Sequence, residues 1–356
     1  MAVAALAGAV AVPLVTRTTT SSAAPTFHFA LIGDLPYTTA DTAAMPALIA
    51  DINNDPDVQF VAHAGDIKNG STTCADAELQ MRFNLFQGFD DAFWFTPGDN
   101  EWTDCHRASP PSPPLDRLAA LRALFYPVPA QTTGGTPRAV TPQSATPAYS
   151  TFVENTMFHE ECVSFGAIHM VGSNNGTDPW TDETPEQTTA RQAEVAARTA
   201  ADVAWVGEVF DAAVARGSEG VFLLMQAAPS SSAPFAAIRT EISTRAQDFA
   251  KPVIVAHGDG HVYTVTPNYL GRPNVTRWET YGAAGAVDQW IKVAVDCDAP
   301  TVFSHQTVTT GSTPATTTTS GGTSSTSTST TGPAPNWFPI GVADAESQAE
   351  RVTTVP

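Results

Sequence analysis

Three apolar runs in the first hundred residues each end in Gly-Asp, and this repeat constrains the fold more than any other feature of the chain. The runs end at Asp34, Asp66 and Asp99, so that successive aspartates are 32 and 33 residues apart. That interval is close to one strand-helix-strand unit of about 30 residues. The spacing therefore predicts parallel strands whose carboxyl ends, with their aspartates, meet at one edge of a sheet.

Three carboxylates gathered at one sheet edge repel one another unless a cation lies among them. The same edge, beyond the carboxyl ends of the strands, is where ligands bind in open α/β sheets. The alternative for any single aspartate is a structural role as the N-cap of the following helix. Because three aspartates occur in register, the sequence favours a metal site over three helix caps.

Helix-period patterns fall between the strand candidates, as strand-helix-strand units require. Helices are predicted over residues 42–54, 75–89, 115–126, 185–216 and 235–249. Further strands are predicted at residues 148–153, 162–171, 221–225 and 252–256, with late antiparallel strands around residues 262, 290–295 and 301–303. The pattern predicts an α/β fold with one mixed sheet or two sheets.

Residues 307–335 consist almost entirely of Thr, Ser, Gly and Pro. Such a composition cannot bury enough apolar surface to offset the entropy of ordering it. We therefore expect one folded domain over residues 26–305 and a disordered Ser/Thr-rich linker over residues 306–335. The remaining residues 336–356 are too few for a domain and are either a docking tail or a truncation.

The first 25 residues have the character of a secretory leader. An apolar run over residues 2–15 is followed by small residues up to Ala24, where an A-x-A-like cleavage could occur. The positively charged segment that normally precedes the run is missing, because Arg17 follows it. A disordered Ala-rich tail is the alternative. We favour a signal-peptide-like leader over residues 1–25 and hence a secreted or extracytoplasmic protein.

The charge balance restricts the classes of partner. The chain has 36 acidic and 17 basic residues, which gives a net charge of −19. Such a balance disfavours nonspecific binding to nucleic acid phosphates, which requires basic patches. After the N-terminal run there is no apolar stretch of 18 or more residues, so no membrane span is predicted. The sequence does not indicate an oligomeric state.

Four cysteines, an even number, suggest disulfides in an exported protein. Cys74 closely follows the Asp66 motif and Cys105 closely follows the Asp99 motif, so both are expected near the same sheet edge. We therefore favour a Cys74–Cys105 pair, and Cys162 with Cys297 as the remaining pair. A zinc site is less favoured, since no close C-x-x-C pair exists.

Taken in order, the ends of the strand candidates read GDLPY, GDIKNG, PGDNEW, MQAAP and HGDGHVY. This order resembles that of calcineurin-like metallophosphoesterases, whose motifs are D-x-H or D-x-G, G-D-x-x-N/D/Y, G-N-H-E/D, an isolated His and G-H-x-H. The resemblance extends over about residues 27–303, and GDIKNG with PGDNEWTDC is similar to one bacterial subgroup of predicted extracellular members. It implies a two-layered mixed β-sandwich flanked by helices, with two metal ions at the strand ends.

The resemblance also implies roles for the residues of the first three motifs. Asp34 would bind the first metal ion, Asp66 would bridge both ions, and Asp99 takes the place of the Asn ligand of the second. Asn100 falls on the catalytic His of the family and is also a candidate ligand. Asp66 and Asn100 are accordingly the candidate catalytic residues.

The last two motifs supply the remaining candidate ligands. Gln226 stands where the family has its isolated His, and Asp259 replaces the first His of the final motif. His261 keeps the second His of that motif. His257, just upstream, is a possible substitute ligand.

These replacements exchange several imidazoles for oxygen donors, which suit Mn²⁺, Mg²⁺ or Ca²⁺ better than zinc or copper. The implied cofactor is two divalent ions, with Mn, Fe, Zn, Mg and Ca all open. The implied function is that of an exported hydrolase that cleaves small phosphomonoesters or phosphodiesters with metal-activated water. Because Asn100 can donate a hydrogen bond but cannot serve as a general acid, a noncatalytic metal- or ligand-binding protein is the alternative.

Four further polar residues lie in the same segments: Tyr37, His63, His106 and Arg107. We expect His63, which lies within an apolar run, to be a hydrogen-bonded core histidine rather than a support for a metal ligand. The sequence assigns no role to the other three.

Overall fold

The computed structural model describes residues 26–311 and, as backbone only, Phe338–Pro339. In these residues two mixed sheets, each of seven strands, pack face to face, and helices cover the outer face of each. The predicted two-layered mixed β-sandwich flanked by helices is therefore confirmed. The predicted leader over residues 1–25 lies outside the described residues, as does almost all of the chain beyond Gly311.

The described elements follow one another in a largely alternating order of strands and helices. The strands are β1 (Thr26–Ile32), β2 (Val58–His63), β3 (Ala92–Phe95), β4 (Thr133–Gly134), β5 (Thr141–Pro142), β6 (Thr156–Glu160), β7 (Val163–Ala167), β8 (Gly220–Leu224), β9 (Val253–His257), β10 (Thr264–Thr266), β11 (Val275–Glu279), β12 (Gln289–Asp296), β13 (Phe303–Thr309) and β14 (Phe338–Pro339). The helices are α1 (Thr39–Asn53), α2 (Asp76–Phe86), α3 (Pro114–Phe125), α4 (Gly172–Gly176), α5 (Pro185–Arg216) and α6 (Ala236–Phe249).

The first sheet has the order β14-β13-β12-β1-β2-β3-β4 within the described residues. Its centre, β1 to β3, is parallel, as the spacing of the Gly-Asp motifs predicts. The other pairs of this sheet are antiparallel, including the predicted late strand β12, which pairs with β1 and β13. Helices α1, α2 and α3 cover its outer face.

The second sheet has the order β10-β11-β9-β8-β7-β6-β5 within the described residues. Its central strands β7, β8, β9 and β11 are parallel, and its margins are antiparallel. Helices α5 and α6 cover its outer face. The carboxyl ends of β8 and β9 lead into the segments that carry Gln226 and Asp259, which is how this sheet contributes to the site.

The interface between the two sheets is built from aromatic rings. Phe29 stacks on Phe60 with ring centroids 4.6 Å apart, and both make edge contacts with Phe165 of the facing sheet. Each fully buried ring of this size contributes roughly 1.5–3 kcal/mol relative to an exposed one. This apolar layer fixes the two sheets against each other and so holds their strand ends at a common edge.

Two details of the strand prediction are wrong. Residues 148–153 form no strand, because Pro147–Tyr149 is a 3₁₀ turn and the strand lies further on, at β6. In addition the last strand, predicted at residues 301–303, begins only at Phe303 and continues to Thr309 as β13. β-branched threonines suit a strand when a partner edge is available, and β12 provides that edge.

The structure confirms both cysteine pairs. Cys74 is bonded to Cys105 and Cys162 to Cys297, with Cα–Cα distances of 5.8 and 5.9 Å. These distances lie in the usual range for disulfides. Among the helices of the described residues, none has both the length and the apolar character needed to cross a membrane.

Candidate metal centre

The carboxyl ends of β1, β2 and β3 bring the three predicted aspartates to one edge of the first sheet. Asp34, Asp66 and Asp99 are all buried. The backbone N–H of Asp34 donates to the carbonyl of Gly65 at 2.9 Å, which ties the ends of the first two strands together. The sequence spacing alone was therefore sufficient to predict this edge.

None of these aspartates caps a helix. The N-cap of α1 is Thr38, whose hydroxyl accepts a backbone N–H, and that of α2 is Ala75. The 3₁₀ turn Thr103–Arg107, which follows Asp99, has Trp102 in this position. The structural alternative considered for the aspartates is therefore wrong.

Four of the predicted site residues have a left-handed backbone. Asp34, Asp66, Asp259 and His261 have φ angles of 52°, 57°, 71° and 63°. Residues other than glycine adopt this conformation at a cost of about 1–3 kcal/mol each, and they cluster at functional sites where the surrounding structure enforces it. Strained backbone therefore recurs at one edge of the sandwich. This indicates that the backbone there is held so as to place the side chains of the site, at a cost in stability.

Asp34, Asp66 and His261 form the tightest group of potential ligands. One ligand atom from each lies within 4.8 Å of those of the other two. His261 Nε2 is 3.5 Å from Asp34 Oδ1, and the His261 side chain is 35% exposed while the aspartates are buried. The backbone N–H of Asp259 donates to Asp34 Oδ1 at 2.9 Å and so links the final motif to the first.

The hydroxyl of Tyr37 lies at the centre of this group. It donates to Asp66 Oδ2 at 2.8 Å and lies 3.1 Å from His261 Nε2. Asn100 Nδ2 donates to the same hydroxyl at 3.0 Å and to Asp66 Oδ2 at 2.8 Å. Burial raises the pKa of Tyr37 far above its usual range, so the group is a neutral hydroxyl. Its position in GDLPY, three residues after Asp34, was the available sequence signal.

A second group of oxygen atoms surrounds Asp99. Gln226 Nε2 donates to Asp259 Oδ1 at 3.2 Å, and Ser173 Oγ donates to Asp99 Oδ2 at 2.9 Å. Both carboxylates approach Gly172, where a methyl group would lie 2.5 Å from Asp259 Oδ1 and 2.7 Å from Asp99 Oδ2. Two of the predicted ligand carboxylates, Asp99 and Asp259, thus approach the same point beside one glycine.

The segment that carries Ser173, α4, is a single left-handed turn rather than a normal helix. Ser173, Asn174 and Asn175 have φ angles of 47°, 56° and 57°. The buried guanidinium of Arg198 stabilises the turn, since it donates to Asn175 Oδ1 at 2.7 Å and to the Asn175 carbonyl at 2.9 Å. Sequence reasoning missed Ser173, although an Asn-Asn pair followed by a glycine is a signal for left-handed backbone.

His257 does not join the other candidate ligands. Side chains alternate along a strand, and in β9 Val253 and Val255, on the same side as His257, pack in the helix-covered cluster of the second sheet. His257 Nδ1 is 2.6 Å from the carbonyl oxygen of Gly258. Burial lowers the pKa of His257 to about 4. His257 is therefore outside the group formed by Asp34, Asp66 and His261, its Nε2 is buried without a hydrogen-bond partner among the described residues, and its role as a substitute ligand stays a prediction.

The electrostatics of the site are those of an uncompensated carboxylate cluster. Burial raises the pKa of Asp34, Asp66 and Asp99, and the charges of neighbouring carboxylates raise those of Asp66 and Asp99 further. The hydrogen bond with Asp34 raises the pKa of His261. A divalent cation would neutralise this cluster without protons.

The residues present fit such a cation. Asp99 Oδ1 is buried and has no hydrogen-bond partner among the described residues. A buried polar atom of this kind calls for a partner that is not a protein group, such as an ion. The surrounding donors are carboxylate, amide and hydroxyl oxygens with a single imidazole, which is a set for hard divalent ions.

An open cleft of about 480 Å³ leads to the aspartates. Its lining residues include Asp66, Asp99, Asp259, His261 and Arg107. The Cys74–Cys105 disulfide anchors the 3₁₀ turn that ends in Arg107. The cleft therefore combines several carboxylates with the cationic side chain of Arg107.

Comparison with known proteins found similarity among solved structures. No protein-family model matches the chain, and no curated protein matches it. Among solved structures the chain is similar to GAP50, the anchor in the inner membrane complex of Plasmodium, with a TM-score of 0.42 and 11% identity over 81% of this chain and 85% of that one. It is also similar to the calcineurin-like phosphoesterase YfkN from Bacillus subtilis, with a TM-score of 0.39 and 12% identity over 81% of this chain and 92% of that one.

Proposed function

We propose that the chain is an exported, divalent-metal-dependent phosphoesterase that hydrolyses small phosphomonoesters or phosphodiesters. The observation that carries this proposal is the group Asp34, Asp66 and His261, whose ligand atoms lie within 4.8 Å of one another beside an open cleft. The order of motifs along the chain, from GDLPY to HGDGHVY, supports the same chemistry.

Two ions are proposed. Asp34, Asp66 and His261 would hold the first, and Asp66 with Asp99, Gln226 and Asp259 would hold the second. When bound, such ions supply an electrostatic clamp for phosphoryl oxygens and activate water at neutral pH. The oxygen-rich donors favour Mn²⁺, Mg²⁺ or Ca²⁺. Imidazole nitrogen suits iron and zinc, and the proposed ligands include only one imidazole, that of His261.

The chain's own residues would orient the bridging carboxylate and the substrate. Asp66 is held by the backbone N–H of Asn100 at 3.2 Å, by the Asn100 amide and by the Tyr37 hydroxyl. The Asn100 and Tyr37 side chains also line the cleft, where a phosphoryl oxygen could replace one of the two acceptors that now occupy the Asn100 amide protons. Donors that are fixed before the substrate arrives stabilise developing charge without reorganisation.

Export is the second part of the proposal. Two disulfides are compatible with an oxidising compartment. We propose residues 1–25 as the leader, a catalytic domain that extends through β13, and a linker and tail beyond it.

A noncatalytic binding protein is the competing candidate, and one observation favours it. Where the family has its catalytic His, the Asn100 amide is committed to Asp66 Oδ2 and the Tyr37 hydroxyl. An amide has no proton to give to a leaving group. A protein with this arrangement could retain the cations and the ligand without turnover.

The test uses the full chain, stripped of metal with a chelator and reloaded separately with Mn²⁺, Fe²⁺, Zn²⁺, Mg²⁺ or Ca²⁺. Hydrolysis of p-nitrophenyl phosphate and bis(p-nitrophenyl) phosphate is measured together with metal content by elemental analysis. We expect two ions per chain and turnover that falls at least about 1,000-fold in Asp66→Asn. The matched control is Asp248→Asn, at an exposed position of α6.

The two candidates predict different outcomes of this test. Turnover that depends on Asp66 but not on Asp248 contradicts the binding protein. Stoichiometric metal with no hydrolysis of either ester under any of the five metals contradicts the phosphoesterase.

A further inference from the structure

We propose that Arg107 binds the phosphoryl group of the substrate and makes dianionic phosphomonoesters the preferred class over phosphodiesters. This inference rests on the proposed function and adds a substrate class to it. The charged residues of the cleft support it. Among the described residues that line the cleft, Asp66, Asp99 and Asp259 are acidic and Arg107 is the only arginine or lysine.

The guanidinium of Arg107 is held in place by Asp104 and still has N–H donors without an acceptor among the described residues. Arg107 Nη2 is paired with the buried carboxylate of Asp104, whose other oxygen lies 2.6 Å from Ser173 Oγ. A guanidinium has five N–H donors, and within the described residues Asp104 is the only acceptor bonded to this one. With its side chain 54% exposed, Arg107 can offer the remaining donors to a ligand in the cleft.

Gly70 places Arg107 beside the proposed catalytic group. A methyl group at Gly70 would lie 2.6 Å from Asn100 Oδ1 and 3.2 Å from Arg107 Nη2, so the two side chains approach the same point beside Gly70. The loop is tightened by Asn69 Oδ1, which accepts from the backbone N–H of Ser71 at 2.8 Å and from its hydroxyl at 2.7 Å. A phosphoryl group contacting Asn100 therefore has Arg107 as its next cationic neighbour.

The negative charge of the ligand determines how strongly Arg107 contributes to its binding. A phosphomonoester carries close to two negative charges at neutral pH, whereas a diester carries one. Carboxylates in the cleft walls repel the dianion more strongly, and a guanidinium fork offsets this repulsion through charge-assisted, bidentate hydrogen bonds. Removal of Arg107 should therefore penalise monoesters much more than diesters.

The kinetic test compares Arg107→Ala, Arg107→Lys and the control Arg245→Ala in the metal-loaded full chain. Arg245 is a partly exposed arginine of α6 that is likewise paired with acidic residues. We expect kcat/KM for p-nitrophenyl phosphate to fall about 30- to 100-fold in Arg107→Ala, and that for bis(p-nitrophenyl) phosphate to fall less than about 5-fold. Arg107→Lys keeps a cation beside Asp104 and should recover part of the loss, so it separates a binding role from a folding defect.

A second readout does not depend on turnover. Binding of inorganic phosphate to the metal-loaded protein is measured by calorimetry, and we expect Kd to rise about 10-fold or more in Arg107→Ala and to stay unchanged in Arg245→Ala. Weakened phosphate binding in a protein without turnover would support the role of Arg107 while contradicting the proposed catalysis. Unchanged phosphate binding, or equal losses for the two esters, would overturn the inference.

Discussion

The carboxylate of Asp66 lies directly against the α-carbon of Gly98, so that any side chain at position 98 would overlap Asp66 Oδ1. The same relationship joins Gly258 to the carboxylate of Asp34. In both cases the glycine of one Gly-Asp motif makes room for the aspartate of another. The glycines of the repeat are therefore part of the site, since they allow strand ends from different motifs to approach one another.

Gly98→Ala should accordingly damage the metal centre more than the fold. The added methyl group must displace Asp66, and displacing the partners that orient a ligand typically costs about 10- to 100-fold in metal affinity. Metal affinity, measured by competition with a chelator, tests this expectation. Gly207→Ala in α5 is the control, because the atom nearest to its new methyl group is the mobile end of Arg245. Equal metal affinity in the two variants would contradict the assignment of Asp66 as the bridging ligand.

Asn100→Ala distinguishes a catalytic role from a ligand role. If Asn100 donates to the substrate, turnover should fall about 100- to 1,000-fold, as for the loss of one fixed donor to a developing charge. Metal affinity should change much less, because the carboxylates of Asp34, Asp66 and Asp99 remain. Asn84→Ala, on the exposed face of α2, is the control. A parallel fall in metal affinity and turnover would instead make Asn100 a metal ligand.

The part of this site that could be predicted is the part that follows from local periodicity. Equal spacing of Asp34, Asp66 and Asp99 predicted a shared edge because β1, β2 and β3 are parallel neighbours. His63 was likewise confirmed as a core histidine: its Nδ1 accepts from the Gly65 backbone at 3.1 Å, and burial lowers its pKa to about 3. The shared edge and the buried histidine could both be predicted from the positions and directions of the strands alone.

The part that could not be predicted depends on loop conformation. His257 and His261 are four residues apart in one motif, and only the exit of the chain from β9 decides which ring faces the aspartates. Tyr37 reaches Asp66 because of the path between β1 and α1. Ser173 reaches Asp99 because of a left-handed turn. Hydrophobic periodicity carries no information on these three paths.

The two disulfides should differ in what they contribute. They close intervals of 31 and 135 residues, and the loop-entropy relation assigns them roughly 4 and roughly 5 kcal/mol of stability. We expect the double variant Cys162→Ala/Cys297→Ala to lower the free energy of unfolding at least as much as Cys74→Ala/Cys105→Ala, as measured by urea denaturation.

Of the two double variants, only Cys74→Ala/Cys105→Ala should weaken phosphate binding. Cys105 lies in the 3₁₀ turn that carries Arg107, whereas Cys162 and Cys297 pack against the core between the sheets. Calorimetry with inorganic phosphate on both metal-loaded variants provides the comparison. Weakened binding in the Cys162→Ala/Cys297→Ala protein alone would contradict the link between the turn and the cleft.

Asp202 should make the protein less stable as the pH rises. Its carboxyl is fully buried, with Oδ1 accepting from Asn155 Nδ2 at 2.9 Å and Oδ2 without a partner among the described residues. Burial raises the pKa of Asp202 to about 8, although the nearby Arg198 opposes the shift. In the unfolded chain the same group titrates near about 3.9. The folded state therefore retains a proton that the unfolded state has lost at intermediate pH.

The higher pKa of Asp202 in the folded state means that its contribution to stability falls as the pH rises. The contribution of Asp202 to stability is greatest below pH about 4 and declines by up to about 1.4 kcal/mol per pH unit until pH 8. Asp202→Asn, whose amide mimics the protonated carboxyl, lacks that decline. The variant should therefore gain stability relative to the parent between pH 5 and pH 8, measured by urea unfolding at fixed metal concentration. Asp211→Asn, at an exposed position of α5, controls for the loss of a charge on the same helix. If parent and Asp202→Asn proteins show the same pH dependence, Asp202 is not the group that holds the proton.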